Sequence, residues 1–168
     1  KPYVLKYNDQ GKSWKQISNN LPKRGPAHTI VEDHIDANLL FVGTEFGLFF
    51  TQDGGESWNK FSKLPTTAVR DLEIQRRESD LVVASFGRGI YILDDYSPLR
   101  TKPADLNKTA AMIFPIRDSW IYIEGDRIDD REKGSSGSDY FTAKNPPLGV
   151  TFSYYLKDSY KSLKKQRR

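Results

Sequence analysis

The octapeptide Thr51-Gln52-Asp53-Gly54-Gly55-Glu56-Ser57-Trp58 decides how this chain is read, because Tyr7-Asn8-Asp9-Gln10-Gly11-Lys12-Ser13-Trp14 repeats it. Asp, Gly, Ser and Trp recur in register 44 residues apart, and each copy is followed by Leu-Pro, at Leu21-Pro22 and Leu64-Pro65. Each residue type suits a tight turn. The aspartate side chain accepts hydrogen bonds from backbone N–H groups ahead of it. The glycine permits a positive φ that a Cβ would penalise. The serine hydroxyl bonds back into the turn, and the tryptophan is expected to bury its ring between neighbouring sheets. Asp9, Gly11, Ser13 and Trp14, with Asp53, Gly55, Ser57 and Trp58, are therefore expected to hold turns and not to perform chemistry. A calcium loop of the EF-hand kind needs several spaced carboxylates and a terminal Glu, which this motif lacks. No metal and no cofactor are expected.

A second correspondence runs onward from the motif. Asn38-Leu39-Leu40-Phe41-Val42-Gly43 matches Asp80-Leu81-Val82-Val83-Ala84-Ser85 at an offset of 42, and the same offset carries Gly47-Leu48-Phe49-Phe50 onto Gly89-Ile90-Tyr91-Ile92 without a gap. Repeats of roughly 40–50 residues built from short strands are the pattern of β-propeller blades. The complete repeat predicts strands at Ala27–Glu32, Leu39–Val42, Leu48–Gln52 and Trp58–Phe61. The next repeat predicts Val69–Ile74, Leu81–Ala84 and Ile90–Leu93. Residues 3–7 and 14–17 read as the last two strands of an earlier blade. A solenoid of β-turns is the rival, and four unequal strands per repeat favour the blade.

Composition agrees with a folded β-rich chain. Of its 168 residues, 12% are aromatic and 29% charged, too apolar for wholesale disorder. Tyr, Phe, Val, Ile, Thr and Gly are frequent and helical periodicity is missing. The net charge is +4, but Lys161, Lys164, Lys165, Arg167 and Arg168 crowd the end without an acid, so the remainder is close to neutral. A nucleic-acid protein carries its basic excess on a folded face, so no nucleic-acid partner is expected. There are no cysteines, which excludes disulfides and thiolate metal sites. No apolar run approaches a membrane span. Lys1-Pro2-Tyr3 opens directly into a strand pattern without a leader, and the chain reads as a piece of a longer protein.

Two runs support a family resemblance. These are Gly43-Thr44-Glu45-Phe46-Gly47-Leu48-Phe49-Phe50-Thr51-Gln52-Asp53-Gly54-Gly55-Glu56-Ser57-Trp58 and Phe86-Gly87-Arg88-Gly89-Ile90-Tyr91-Ile92-Leu93-Asp94-Asp95. Residues 3–100 resemble the C-terminal blades of the Asp-box (BNR-repeat) β-propellers, a family of large bacterial proteins described as sortilin-like or as glycosyl hydrolase BNR-repeat proteins. The likeness continues more loosely through Ala111–Pro115, Asn145–Val150 and Tyr154–Lys157. It implies a partial β-propeller of four-stranded antiparallel blades, with the remaining blades of the parent chain as partners. It also implies a β-sandwich after the propeller and an extracellular or periplasmic setting. The chain departs from the pattern at Phe86, where the family has His before Gly-Arg-Gly. The third repeat also lacks an Asp-box, since Tyr96-Ser97-Pro98 follows Asp95. The resemblance implies that this blade is the closing one, completed by an N-terminal strand.

The expected organisation is all-β, with blades over residues 1–100. Residues 101–147 read as a linker, with short strands at Ala111–Phe114 and Trp120–Glu124 and a charged Gly/Ser-rich loop over 125–147. Residues 148–168 would hold the first strand of an incomplete β-sandwich, Val150–Leu156, and the basic tail.

Turns in a blade alternate between the two ends of its strands. The turn between the second and third strands therefore opens opposite the Asp-boxes. That puts Glu45 and Phe46 on the opposite face, with Arg88 at the position equivalent to Phe46. Arg88 is the leading candidate for an anion contact, against the plainer expectation that it pairs with Glu45 or Asp71 to fix its loop. His34 sits beside Asp33 and Asp36, where a solvated turn is a better reading than a metal site. Two functions stand against each other. One is a non-catalytic module that binds protein or carbohydrate or serves assembly. The other is a fragment of a secreted glycoside hydrolase, sialidase-like or glucanase-like, with its acids mostly outside this chain.

Overall fold

The computed structural model describes residues 2–7, 9–119, 121–123, 148–160 and 167. Its architecture follows from strand β4 (Leu40–Thr44), whose five residues are all buried. A strand covered on both faces reads as a continuous apolar run and not as an alternation. β4 lies second in an antiparallel sheet of order β3-β4-β5-β6, with β3 at Ala27–Glu32, β5 at Gly47–Thr51 and β6 at Asn59–Lys60. Leu40, Val42 and Phe49 turn to one side and bury against Val4, Ile17, Leu21 and Trp58. Leu39, Phe41 and Leu48 turn to the other and bury against Val69, Leu72, Leu81, Val83 and Tyr96.

Those two cores join three antiparallel units in chain order. The first is the hairpin of β1 (Leu5–Lys6) and β2 (Lys15–Gln16). The second is the four-stranded sheet. The third is the three-stranded sheet of β7 (Val69–Gln75), β8 (Asp80–Ser85) and β9 (Ile90–Leu93). The fold class is all-β with antiparallel pairing throughout, and among the described residues the sheets do not close into a barrel or a complete propeller. No helix among them is long and apolar enough to cross a membrane. The expected strands at residues 3–7 and 14–17 shrink to two residues each, since an isolated hairpin has few partners to extend its ladder.

The ungapped offset of 42 needs correction. Inner strands β3 and β7 do align at 42, and each carries a bulge at the same place, between Ala27 and Thr29 and between Val69 and Asp71. Their partners align at 41, because Ala27 faces Thr44 while Val69 faces Ser85. The missing residue returns in the next turn. Glu45-Phe46 joins β4 to β5, whereas Phe86-Gly87-Arg88 lies between Ser85 and Gly89, which bond to each other. A one-residue slip moves every side chain to the other face of a sheet. Leu81 and Val83 accordingly take the roles of Leu40 and Val42, and Arg88 is not the counterpart of Phe46.

Beyond β9 the chain turns through Tyr96, a short 3-10 turn at Ser97–Arg100 and the one-turn helix α1 (Pro103–Leu106). β10 (Ala111–Ile113) then pairs with β11 (Tyr154–Leu156), so the stretch read as a linker supplies a strand to the unit read as separate. The predicted loop at 125–147, the ends of the predicted strand Trp120–Glu124, and the basic tail except Arg167 lie outside the described residues.

Candidate functional site

The two Asp-box turns are closed hydrogen-bonding units. In the first, Ser13 donates its backbone N–H to Asp9 Oδ1 (3.0 Å) and its hydroxyl to Oδ2 (2.6 Å). In the second, Asp53 Oδ1 accepts from Ser57 N (2.9 Å) and Thr51 Oγ1 (2.5 Å), and Oδ2 accepts from the Ser57 hydroxyl. Thr51 Oγ1 itself accepts from Gly55 N at 3.1 Å. Burial raises the Asp53 pKa, but the Ser57 and Thr51 hydroxyls with the backbone donors outweigh it and bring it down to about 2. The bonds from Ser13 lower that of Asp9.

Gly11 and Gly55 take φ of +85° and +97°, the left-handed region that disfavours a Cβ. Gly55 also lies so close to the first hairpin that a Cβ would sit 2.7 Å from Ile17 Cβ, while at Gly11 nothing lies within 4 Å. The tryptophans part company in the same way. Trp58 is 3% exposed, and its Nε1–H donates to the Ile17 carbonyl at 2.6 Å. Asn20 grips its backbone, donating to the Trp58 carbonyl (2.8 Å) and accepting from its N–H (2.7 Å). Trp14, expected to be buried, is 58% exposed and meets Tyr7 edge-on at 4.8 Å, because no adjoining sheet lies over it among the described residues.

The opposite ends of the strands carry the remaining candidates. Glu45 and Phe46 form the β4–β5 turn, at the other end of β5 from Asp53. Glu45 N–H donates to the Pro26 carbonyl, and in the next sheet Phe86 N–H donates to the Ala68 carbonyl. Glu45 and Phe86 are thus the true counterparts, as are the bulge residues His28 and Arg70. Each sheet pairs its bulge residue with its turn residue. In the first, His28 Nε2 lies 2.9 Å from Glu45 Oε2. In the second, the Arg70 guanidinium lies 5.1 Å from the centre of the Phe86 ring. Arg70 also joins the two sheets. Its Nη1 is 3.3 Å from both ring nitrogens of His28, and its Nη2 is 3.8 Å from Glu45 Oε2.

Arg88 pairs with neither Glu45 nor Asp71, contrary to the plainer expectation. Glu45 is taken by His28 and Arg70, while Asp71 accepts from Leu72 N–H at 2.9 Å and stands 3.5 Å from Thr29 Oγ1. Arg88 is exposed, and no partner for it is found among the described residues.

One cluster escaped sequence reasoning. Asp33 is fully buried, yet it accepts Arg100 Nε (2.8 Å), Arg100 Nη2 (2.9 Å) and Tyr96 Oη (2.6 Å), with Asp36 N–H at 2.9 Å. Burial pushes its pKa up, but the Arg100 and Tyr96 hydrogen bonds and the arginine charge hold the carboxyl far below the usual range. Burial and the bond to Asp33 raise the Tyr96 phenol. Asp33 reads in the sequence as a turn residue and Arg100 as the last residue before the linker, and nothing local joins positions 67 apart. The cluster saturates itself and sits at the Asp-box end. His34 Nδ1 is 3.4 Å from the same carboxylate, and no metal-holding group of His, Asp and Glu is found among the described residues.

The fold and its site define an all-β protein of stacked antiparallel sheets, with closed turns at one end and open charged and aromatic side chains at the other. No protein-family model matches the chain, and no curated protein is significantly similar to it.

Proposed function

We propose that this chain carries consecutive blades of an Asp-box β-propeller and acts as a non-catalytic module for protein or glycan binding or assembly. Its ligand end is the one formed by residues 45–46 and 86–88. One observation carries the reading. Every carboxylate oxygen of Asp9 and Asp53 accepts a hydrogen bond inside its own turn, whereas at the other end Arg88 has no partner among the described residues and Phe46 and Phe86 are exposed. Recurrent bulges and sheets stacked in chain order support the blade assignment, and the remaining blades of a longer protein are its natural neighbours. The same resemblance points to an extracellular or periplasmic setting.

The glycoside hydrolase alternative needs two carboxylates across a scissile bond. At this end Glu45 and Asp71 are both engaged with neighbours, which favours binding over turnover. A glycan and protein binding panel with a parallel hydrolysis screen on the full chain tests the reading. Binding weakened by Phe46→Ala or Arg88→Gln, without hydrolysis, is the expected result. Turnover abolished by Glu45→Gln would overturn it.

A further inference from the structure

We infer that Asn107 is an N-glycosylation site, whose carboxamide takes an oligosaccharide from a polyprenyl-diphosphate carrier. The inference rests on the reading that the chain works outside the cytoplasm. Of the seven asparagines only Asn107 stands two residues before a hydroxyl, in Asn107-Lys108-Thr109, with no proline between them. That triplet is the acceptor signature of N-linked transfer, and it belongs on a surface loop. Asp105 lies two residues before the asparagine, where bacterial oligosaccharyltransferases also require an acid. In the transfer, Asn107 Nδ2 bonds to the anomeric carbon of the first sugar. The bond from that carbon to the diphosphate oxygen breaks, and the lipid diphosphate leaves with the electron pair. One Nδ2 proton passes to a base of the transferase.

The triplet is accessible where it stands. Asn107 follows α1 at its C-terminus, is exposed, and its carboxamide has no partner among the described residues. Asp105 forms an exposed ion pair with Lys108 at 3.0 Å, a contact that water weakens. The backbone bonds here are local, from Leu106 to Lys102, Asn107 to Pro103, Lys108 to Asp105 and Thr109 to Leu106. The Thr109 hydroxyl donates to the Leu106 carbonyl at 3.1 Å, and Lys157 Nζ reaches the Asn107 carbonyl at 3.1 Å. α1 is four residues long and buries none of them. A helix that short is marginal by itself, so the segment opens at small cost into the extended form that a transferase takes. A glycan on Asn107 would stand over the connection between the stacked sheets and the β10–β11 ribbon.

Incubation of the folded full chain with a purified bacterial oligosaccharyltransferase and its lipid-linked oligosaccharide tests the inference, read by intact-mass and peptide-mapping mass spectrometry. A mass gain of one oligosaccharide per chain, mapped to Asn107, is expected. Asn107→Gln and Thr109→Val should abolish the gain, Thr109→Ser should keep it, and Asp105→Ala should remove most of it. These side chains are bonded only to near neighbours or not at all, so the variants should melt like the parent. A folded chain left unmodified, while a free peptide spanning residues 105–109 is modified in the same mixture, would overturn the site. So would a gain that survives Asn107→Gln. Because the components are purified, neither result depends on where the chain resides. In the source cells, chain recovered outside the cytoplasm without sugar would also sink the inference, whereas chain recovered from the cytoplasm would overturn the setting on which it rests.

Discussion

The sheets β3–β6 and β7–β9 begin as copies and finish differently. Both have a bulged inner strand, an apolar second strand and a turn bonded back to the residue just before that inner strand. The first ends in an Asp-box turn and a fourth strand. Among the described residues the second has three strands, and in place of the turn motif it sends Tyr96 and Arg100 back to Asp33 of the first sheet. The linkers follow suit. Asn20, two residues before Pro22, clasps Trp58. The matching position before Pro65 is Lys63, and the following repeat has no motif tryptophan for it to hold. Turn motif and clasping residue are thus present together or missing together, which marks them as one device for fastening a sheet to the unit before it.

The largest effect should come from breaking the return contact. Arg100→Ala strands a buried carboxylate and should cost about 3–5 kcal/mol, the usual penalty for removing one member of a buried ion pair. Urea unfolding measures it, and a loss under 1 kcal/mol would show that the second sheet does not depend on the contact. Gly55→Ala combines left-handed strain with a clash on Ile17 and should cost about 2–4 kcal/mol. Gly11→Ala carries the strain alone and should cost about 1–2 kcal/mol. Equal losses would mean that the close approach to Ile17 gives way readily.

Asp53→Ala removes the acceptor at the centre of its turn and should cost about 1–2 kcal/mol, leaving ligand binding per folded molecule unchanged. The sign of the pH effect follows from the lowered pKa. A carboxyl that titrates lower in the folded chain than in the unfolded one adds stability above the unfolded value and loses it as pH falls toward the folded one. For Asp53 that window runs from about 4 down to about 2, so Asp53→Asn should flatten the decline in melting temperature across it. The smallest effect belongs to the open face of the second sheet. Ile92, the counterpart of half-buried Phe50, is 61% exposed. Ile92→Ser should move stability by no more than about 0.5 kcal/mol. A larger loss in calorimetry, rising with protein concentration, would reveal that the face is covered in solution.

The contrast also explains what the sequence could and could not disclose. The strands and both closed turns were legible, since alternation, glycine position and the Asp–Ser spacing are local. The burial of Trp14 was not, because a ring's environment depends on which sheet lies over it. The slip from 42 to 41 was hidden by the inserted residue of the 86–88 turn, which restores the register at Gly89. Glu45 and Phe46 were placed at the right end by counting turns. The junction at Arg70 was not legible, because His28 and Glu45 reach it from another sheet.

The contact between Asp33 and Arg100 bears on where this polypeptide can be cut. Inspection of the strands alone would set a boundary just after Leu93, the last residue of β9. A chain ended there keeps every strand of both stacked sheets, yet leaves Asp33 in the interior without its counter-ion and Phe41 without the ring of Tyr96 against it. Gln52 would also lose the carbonyls of Leu99 and Thr101 that its side chain reaches. The shortest self-consistent unit extends through Thr101, so expression boundaries and tolerated insertion points belong beyond that residue.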